Sequence, residues 1–419
     1  MTTKRLSHSK QKIKFVLALM IMAVTSSSPG FTLADDTAIP KPSFEDWLTV
    51  VLYEARESGL TSGRVETALN TITPNRRVIE LDQKQPEFTQ TFWAYLDSRV
   101  SSNRIERGRE LLAQHRELLT GIEEKYRVQG RFLVALWGLE TNFGSHLGGF
   151  PVIESLATLA YDDRRSDFFR SELFDALTIL EENHVDIDDM VGSWAGAMGQ
   201  PQFMPSTFSR YAVDEDDDGR KDIWGSLPDV FGSASNYLSG IGWDNKYTWG
   251  REIQLPTDFD LDQAALRIKK SLPSWEELGV RRIDGRSLPN TDIDAAVILP
   301  AGHRGPAFLV YNNFEVILNW NRSLLYAISV GHLADRLIGL GPLKSPRRAD
   351  SPLSRNEVTQ LQERLNTLGY DAGEPDGQAG PRTRAALRAF QKENELPADG
   401  YTDKRAYEAV VEVAARISG

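Results

Sequence analysis

The chain has 419 residues, 41% of them apolar and 26% charged, with no cysteine and a formal net charge of −11. That length and balance allow more than one buried core and fit two or three domains, which excludes a disordered or fibrous chain. The missing cysteines exclude a disulfide framework, a thiol nucleophile, a thiolate metal site and the acylated cysteine of a bacterial lipoprotein.

Residues 1–34 stand apart. Lys4, Arg5, Lys10, Lys12 and Lys14 precede an apolar run over residues 15–24, and Thr32, Leu33 and Ala34 supply small residues before Asp35. This is the pattern of a cleaved export signal, with an uncleaved anchor as the alternative. The run of about 10 apolar residues is too short for a bilayer, which needs roughly 20, and no other segment offers an integral membrane span. The expected mature protein is periplasmic and soluble. Cleavage takes the net charge from −11 to −16 by removing five positive groups and no acidic one. Such a surface argues against nucleic acid, which needs a basic footprint, and leaves a glycan substrate open.

Residues 43–126 read as helical. In "SFEDWLTVVLYEA", Ser43 and Asp46 have capping-box spacing, and Phe44, Trp47, Leu48, Val51 and Leu52 share a face. Residues 131–240 are mostly helical too. A β signal follows in "DAAVILP" and "AFLVYNNFEVILNW", which are rich in aliphatic and aromatic residues and separated by the turn-former "AGHRG"; this predicts a small hairpin sheet. The class is therefore α+β, predominantly α-helical. Residues 341–352, rich in proline and mixed charge, read as a linker. Beyond it, "EVTQLQERLNTLGY" and "GPRTRAALRAFQKENEL" form amphipathic helices of a three-helix unit too small to house catalysis.

Common catalytic signatures are missing. There is no His-Glu-x-x-His and no Gly-Lys phosphate loop, the six histidines are scattered, and the Ser-x-x-Lys matches at Ser7 and Ser9 fall in the leader. Carboxylate chemistry remains. In "ALWGLETNFG", Glu140 ends an almost wholly apolar helix. Desolvation, the negative end of the helix dipole and water exclusion would push its pKa upward, as a proton donor to a glycosidic oxygen requires. The alternative is a half-exposed helix-end residue bonded to Asn142 or a backbone amide.

Two further stretches carry chemistry. "GSWAGAMGQPQFMPSTF" (192–208) combines small residues with Ser193, Gln200, Gln202 and Ser206, neutral partners for sugar hydroxyls and acetamido groups, and with Trp194, Met198, Phe203 and Met204 for apolar sugar faces. A glycine-rich helix contact is its plainer reading. "DEDDDGRKDIW" places Asp214, Asp216, Asp218 and Gly219 as in an EF-hand loop, with the Arg220 carbonyl and Asp222 next in line. The twelfth position is Gly225 instead of a bidentate acid, and Asp229 would close a longer loop. A solvated acidic turn is the alternative.

Taken with "VIELDQKQPEFTQTFWAYLDSRVSSNRIERGRELL" and "YNNFEVILNWNRSLLYAISVGHLADRL", these motifs make residues 43–340 resemble the lytic murein transglycosylases of the membrane-bound B type, glycoside hydrolase family 103. The tail, through "LQERLNTLGYDAG", "DGQAGPRTRAALRAFQ" and "LPADGYTDKRAY", resembles the peptidoglycan-binding type 1 domain. With the leader read over 1–34, the resemblance implies a catalytic domain over 35–340, with a lysozyme-like core at about 125–250. A linker over 341–352 and a binding domain over 353–415 would follow. It implies cleavage of the β-1,4 bond between N-acetylmuramic acid and N-acetylglucosamine, leaving 1,6-anhydro ends, with Glu140 as the single catalytic acid. A second carboxylate is then not needed; Asp162, Asp163 and Asp167 read as solvated helix-start residues. Ser193, Met198, Gln202, Tyr237, Asn313 and Asn321 fall at the family's substrate-groove positions. The chemistry needs no cofactor. A structural calcium ion is implied at Asp214, Asp216, Asp218, the Arg220 carbonyl and Asp229, the last sitting one residue beyond the family spacing. The implied partners are peptidoglycan glycan strands and other cell-wall enzymes. A hydrolytic muramidase and a non-catalytic wall-binding scaffold are the alternatives.

Overall fold

The computed structural model describes residues 41–84, 90–162, 164–347 and 352–418. The leader assigned to residues 1–34 and Asp163 lie outside them. The chain opens with six helices: α1 (Phe44–Glu57), α2 (Gly63–Thr71), α3 (Arg76–Lys84), α4 (Phe92–Arg99), α5 (Ser102–Gln114) and α6 (Arg116–Tyr126). Hydroxyl caps start four of them: Ser43, Ser62, Thr91 and Ser101 accept from the backbone N–H three residues on. Each such cap contributes about 1 kcal/mol, which matters for helices this short. At Ser43 the hydroxyl also donates to the Asp46 carboxylate (2.7 Å), so the expected pairing is between the two side chains.

The next helix, α7 (Gly130–Thr141), is buried at every position from Phe132 to Leu139. A helix apolar all round must be enclosed all round. Helices α5 and α6 close on it, together with α11 (Leu227–Gly240) and α14 (Leu324–Leu337). Between them run the short pair β1 (Phe150–Pro151) and β2 (Val191–Gly192), and helices α8 (Val152–Tyr161), α9 (Ser166–Glu181) and α10 (Pro205–Tyr211). Two apolar cores result. One gathers Phe132, Leu136 and Trp137 of α7 with Phe231, Phe314 and Leu333. The other gathers Val51, Leu156, Leu173 and Leu177 with Met198, Phe203 and Phe208. Tyr237 and Trp320 pack against both, so they mark the seam between them.

The β prediction needs correction in two respects. Strands β6 (Asp294–Ile298) and β7 (Ala307–Val310) do form an antiparallel hairpin in the register Ile298↔Phe308. They belong, however, to a five-stranded antiparallel sheet of order β4-β6-β7-β3-β5, with β3 (Gly250–Gln254), β4 (Lys270–Ser271) and β5 (Arg281–Arg282). Helix α12 (Leu272–Glu277) packs beside β4. The second apolar run is also not one strand. It turns after Val310 into α13 (Asn312–Trp320), with Asn313, Phe314, Val316 and Ile317 buried while Asn312 and Asn319 face solvent. Helical spacing of the inward residues outweighs local β propensity. The predominantly helical α+β class holds.

Helix α14 meets the sheet edge through Gly331, where a Cβ would lie 2.2 Å from the Trp249 ring. Next to it Asp335, 7% exposed, accepts from Arg131 (2.8 Å), Arg251 (3.2 Å) and the Trp249 indole N–H (3.0 Å), a charge-pair network that joins α7, α14 and β3. The C-terminal helices α15 (Arg355–Thr367), α16 (Pro381–Glu393) and α17 (Lys404–Ser418) enclose their own core around Leu361, Leu365, Leu387 and Phe390. They touch the sheet region where His303 Nδ1 meets Asp399 (2.6 Å) and Lys392 meets Asp262 (2.7 Å).

Also on α14, His332 is buried, and burial followed by the Arg336 charge pushes its imidazole down to about 4. The unfolded chain takes a proton near pH 6.5 that the folded protein refuses. This costs nothing above pH 6.5; below it the fold loses stability progressively to about pH 4, by about 3 kcal/mol at most. Unfolding free energies measured from pH 7 to 4 should fall less steeply for His332→Gln than for the wild type. Superimposable pH profiles would show that His332 is not held neutral.

Candidate active site

Glu140 is the penultimate residue of α7, and the turn that follows decides where its carboxylate goes. Asn142 (φ 49°), Phe143 (φ 61°) and Gly144 (φ 76°) are all left-handed, an uncommon run that persists only when the surroundings hold it. They do so in two ways. The Phe143 ring folds back onto Gly138, where a Cβ would lie 2.7 Å from it, so the helix needs a glycine one turn before the turn itself. Gln200, almost fully buried, accepts from the Trp137 indole (2.6 Å) and donates to the Trp224 carbonyl (2.7 Å). Its backbone carbonyl takes the Thr141 hydroxyl (3.0 Å), whose oxygen in turn accepts from Gly144 N–H (3.1 Å). The last turn of α7 is thereby tied to the 193–204 loop.

So placed, Glu140 is half-buried, and its Oε1 accepts from the Trp320 indole N–H (2.8 Å) and from the Tyr326 hydroxyl. Burial, the charge of Glu140 and this bond raise the Tyr326 hydroxyl well above its ordinary value of 10, so it stays a donor. The site thus holds a half-buried carboxylate at a helix C-terminus against two hydrogen-bond donors.

The other residues expected at the substrate divide. Ser193 Oγ accepts from Ala195 and Ala197 N–H (3.3 and 3.0 Å), which leaves its proton to donate. Gln202, left-handed at φ 52°, donates to the Leu147 and Gly199 carbonyls (3.1 and 2.8 Å), tying the loop to the turn after α7. Tyr237 donates to the Asn319 carbonyl (3.1 Å) and packs edge-on against Trp320. Asn321 is exposed and caps the Ser323 N–H (3.1 Å).

Two residues correct the sequence reading. Met198 is fully buried (0% exposed) between Gly192 and Phe203 and supports the loop from inside, because an apolar side chain gains more from the second core than from an open groove. Asn313 is likewise fully buried, accepting from Asp244 N–H (2.9 Å) and donating to the Asp244 and Tyr247 carbonyls (2.7 and 3.0 Å). Its polar atoms are spent on holding that loop.

In the acidic loop, Asp214, Asp216 and Asp218 bring one carboxylate oxygen each within 4.8 Å of one another. Asp214 accepts from Asp218 and Gly219 N–H (3.0 and 2.8 Å), which curls the chain around it. These three hard oxygen donors fit a calcium ion. Asp229 differs: it is fully buried, and its two oxygens accept from Glu215 and Asp222 N–H (both 2.7 Å). Desolvation pushes its carboxyl up to about 6. In this structure it clamps both limbs of the loop to α11 and stands outside the cluster of three. The Arg220 side chain reaches away to the Asn183 carbonyl (3.1 Å).

Residues 43–335 match the transglycosylase SLT domain family, and residues 354–410 match a peptidoglycan binding domain. The chain belongs to the transglycosylase SLT family. This transglycosylase is 32% identical to membrane-bound lytic murein transglycosylase B of Escherichia coli (strain K12) over 264 residues, which cover 60% of this chain and 68% of that protein. It is similar to SltB3 from Pseudomonas aeruginosa in complex with NAG-NAM-pentapeptide, at 43% identity and a TM-score of 0.85, over 88% of this chain and 99% of that one. Soluble lytic transglycosylase SltB1 of the same organism aligns at 30% identity and a TM-score of 0.62, over 70% and 98%. The protein is a peptidoglycan lytic transglycosylase.

Trp320 and Tyr326 escape a reading of the sequence. Both lie inside a stretch that resembles the family, yet an indole at a helix end and a tyrosine in an apolar helix look like core residues. Their 180- and 186-residue separations from Glu140 are bridged only by folding. A hydrogen bond to a carboxylate is worth about 1.5–3 kcal/mol. Tyr326→Phe in this transglycosylase should therefore lower kcat about 10- to 100-fold with KM changed less than about threefold. Steady-state kinetics with wild-type kcat would show that the hydroxyl does not support Glu140.

Proposed function

We propose that Glu140 serves in succession as acid and base. As an acid it protonates the glycosidic oxygen of the N-acetylmuramic acid–N-acetylglucosamine bond. As a base it then takes the proton of the muramoyl C6 hydroxyl, whose oxygen attacks C1 and closes a 1,6-anhydro ring. The observation that carries this reading is one carboxylate at the seam of two cores, met by Trp320 and Tyr326. The substrate's own acetamido group would offset the positive charge developing at C1. Asp167 is exposed on the first turn of α9, which suits a solvated helix start better than a nucleophile. Ser193, Gln202, Tyr237 and Asn321 would contact the glycan. Met198 and Asn313 would act by shaping the groove from behind.

The proposed organisation is an export leader over 1–34, a catalytic domain over 35–340, a linker over 341–352 and a wall-binding module over 353–415, working in the periplasm on glycan strands. No helix among the described residues is long and apolar enough to cross a membrane. The C-terminal module would raise the local substrate concentration as a tether does. Other cell-wall enzymes would be its partners at the same strands. A structural calcium ion would be held by Asp214, Asp216 and Asp218, with the Arg220 carbonyl as a further ligand and Asp229 shaping the loop.

Digestion of sacculi followed by mass spectrometry of the products tests the mechanism. Anhydro ends, one water lighter than reducing ends, should dominate. Glu140→Gln should lose about 10²–10⁴-fold or more in turnover while still pelleting with sacculi. Dominant reducing ends would replace the reading with a hydrolytic muramidase, and full activity of Glu140→Gln would overturn the assignment of Glu140 as the acid and base. For the metal, calcium should raise the melting temperature of the wild type and not of Asp214→Asn/Asp216→Asn. An unchanged wild-type melting curve would remove the ion.

A further inference from the structure

A cavity of about 480 Å³ opens beside the turn that follows Glu140, lined by Ser101, Asn103, Arg104, Arg107, Asn142, Phe143 and Ser145. Two of its walls carry guanidinium groups in a chain whose net charge is −11. The state of Arg104 is unusual. It is half-buried, and its recorded partners are neutral oxygens: the Ser98 and Arg99 carbonyls (3.2 and 2.6 Å) and, at 3.5 Å, the Asn142 side chain. Burial and then the neighbouring Arg99 charge lower its pKa, so the cation sits there at a cost. A partly desolvated cation usually finds a carboxylate. Arg107 does have one, Glu110 at 2.9 Å, but both side chains are more than half exposed, and such a pair contributes little and exchanges readily. Ser101, Asn103, Asn142 and Ser145 add neutral donors around the two guanidinium groups.

We infer that this cavity binds a carboxylate of the peptide stem carried by the muramoyl residue next to the cleaved bond. The inference rests on the function proposed above. Asn142, which lines the cavity, follows Glu140 by two residues, so the two Cα atoms are within about 7 Å of each other. A stem of five residues reaches about 17 Å when extended, enough to enter. Bidentate guanidinium recognition then supplies the anion that Arg104 lacks among the described residues, with Asn142 linking the pocket to the turn that positions Glu140. The site would make the enzyme read peptide as well as sugar.

The test compares kcat/KM, counted as anhydro ends released, on glycan strands bearing stem peptides and on strands stripped of them by an amidase. The wild type should prefer peptide-bearing strands. Arg107→Ala, an exposed substitution on a helix, should reduce the ratio of the two kcat/KM values about five- to tenfold. Arg107→Glu should reduce it further, and Arg104→Lys should reduce it while keeping the charge. A ratio unchanged in all three variants, or equal losses on both substrates, would overturn the inference. Absence of anhydro ends from both substrates with the wild type would instead overturn the proposed function, so the two failures are distinguishable.

Discussion

The Gln200 side chain and backbone together hold the end of α7 against the 193–204 loop, through the Trp137 indole, the Trp224 carbonyl and the Thr141 hydroxyl. The placement of Glu140 depends on this tie. If the last turn of α7 frayed, as helix ends do, Glu140 would sample solvent and lose its place against Trp320 and Tyr326. The three successive left-handed residues after Glu140 are the cost of turning the chain sharply enough to reach Gln200. Gly138 offsets part of that cost by making room for the Phe143 ring.

The two apolar cores meet beside Glu140. One is organised on α7, the other on α8 and α9, and they meet along Tyr237 and Trp320. The same geometry lets the side chains at the seam be supported from both sides. Trp320 packs on Phe203 and Tyr237 while its N–H reaches Glu140.

Some of this was legible before folding. Glu140 stood out because a carboxylate that ends an apolar helix is costly, and the cost signals a purpose. The acidic loop was legible from its alternation: Asp214, Asp216 and Asp218 do converge, because odd positions of an extended curl share a side. The reading failed where one residue type serves two ends. Met198 and Asn313 have the chemistry of sugar contacts, yet both are fully enclosed, and burial depends on packing partners far along the chain. The run ending at Trp320 looked like a strand because β-branched and aromatic residues suit both a strand and the inner face of a short helix.

By itself, the sequence determined the elements that rest on local energetics. These are the capped N-terminal helices, the wholly apolar α7 with its terminal carboxylate, the hairpin of β6 and β7 and the C-terminal three-helix unit. Tertiary structure alone decided which side chains face Glu140, that Asp229 clamps its loop, and that Arg104 meets neutral oxygens. Those outcomes depend on contacts across tens to hundreds of residues, whose energies no local pattern carries. Spacing along the chain reports what a residue can do. Only the fold assigns the neighbour with which it does it.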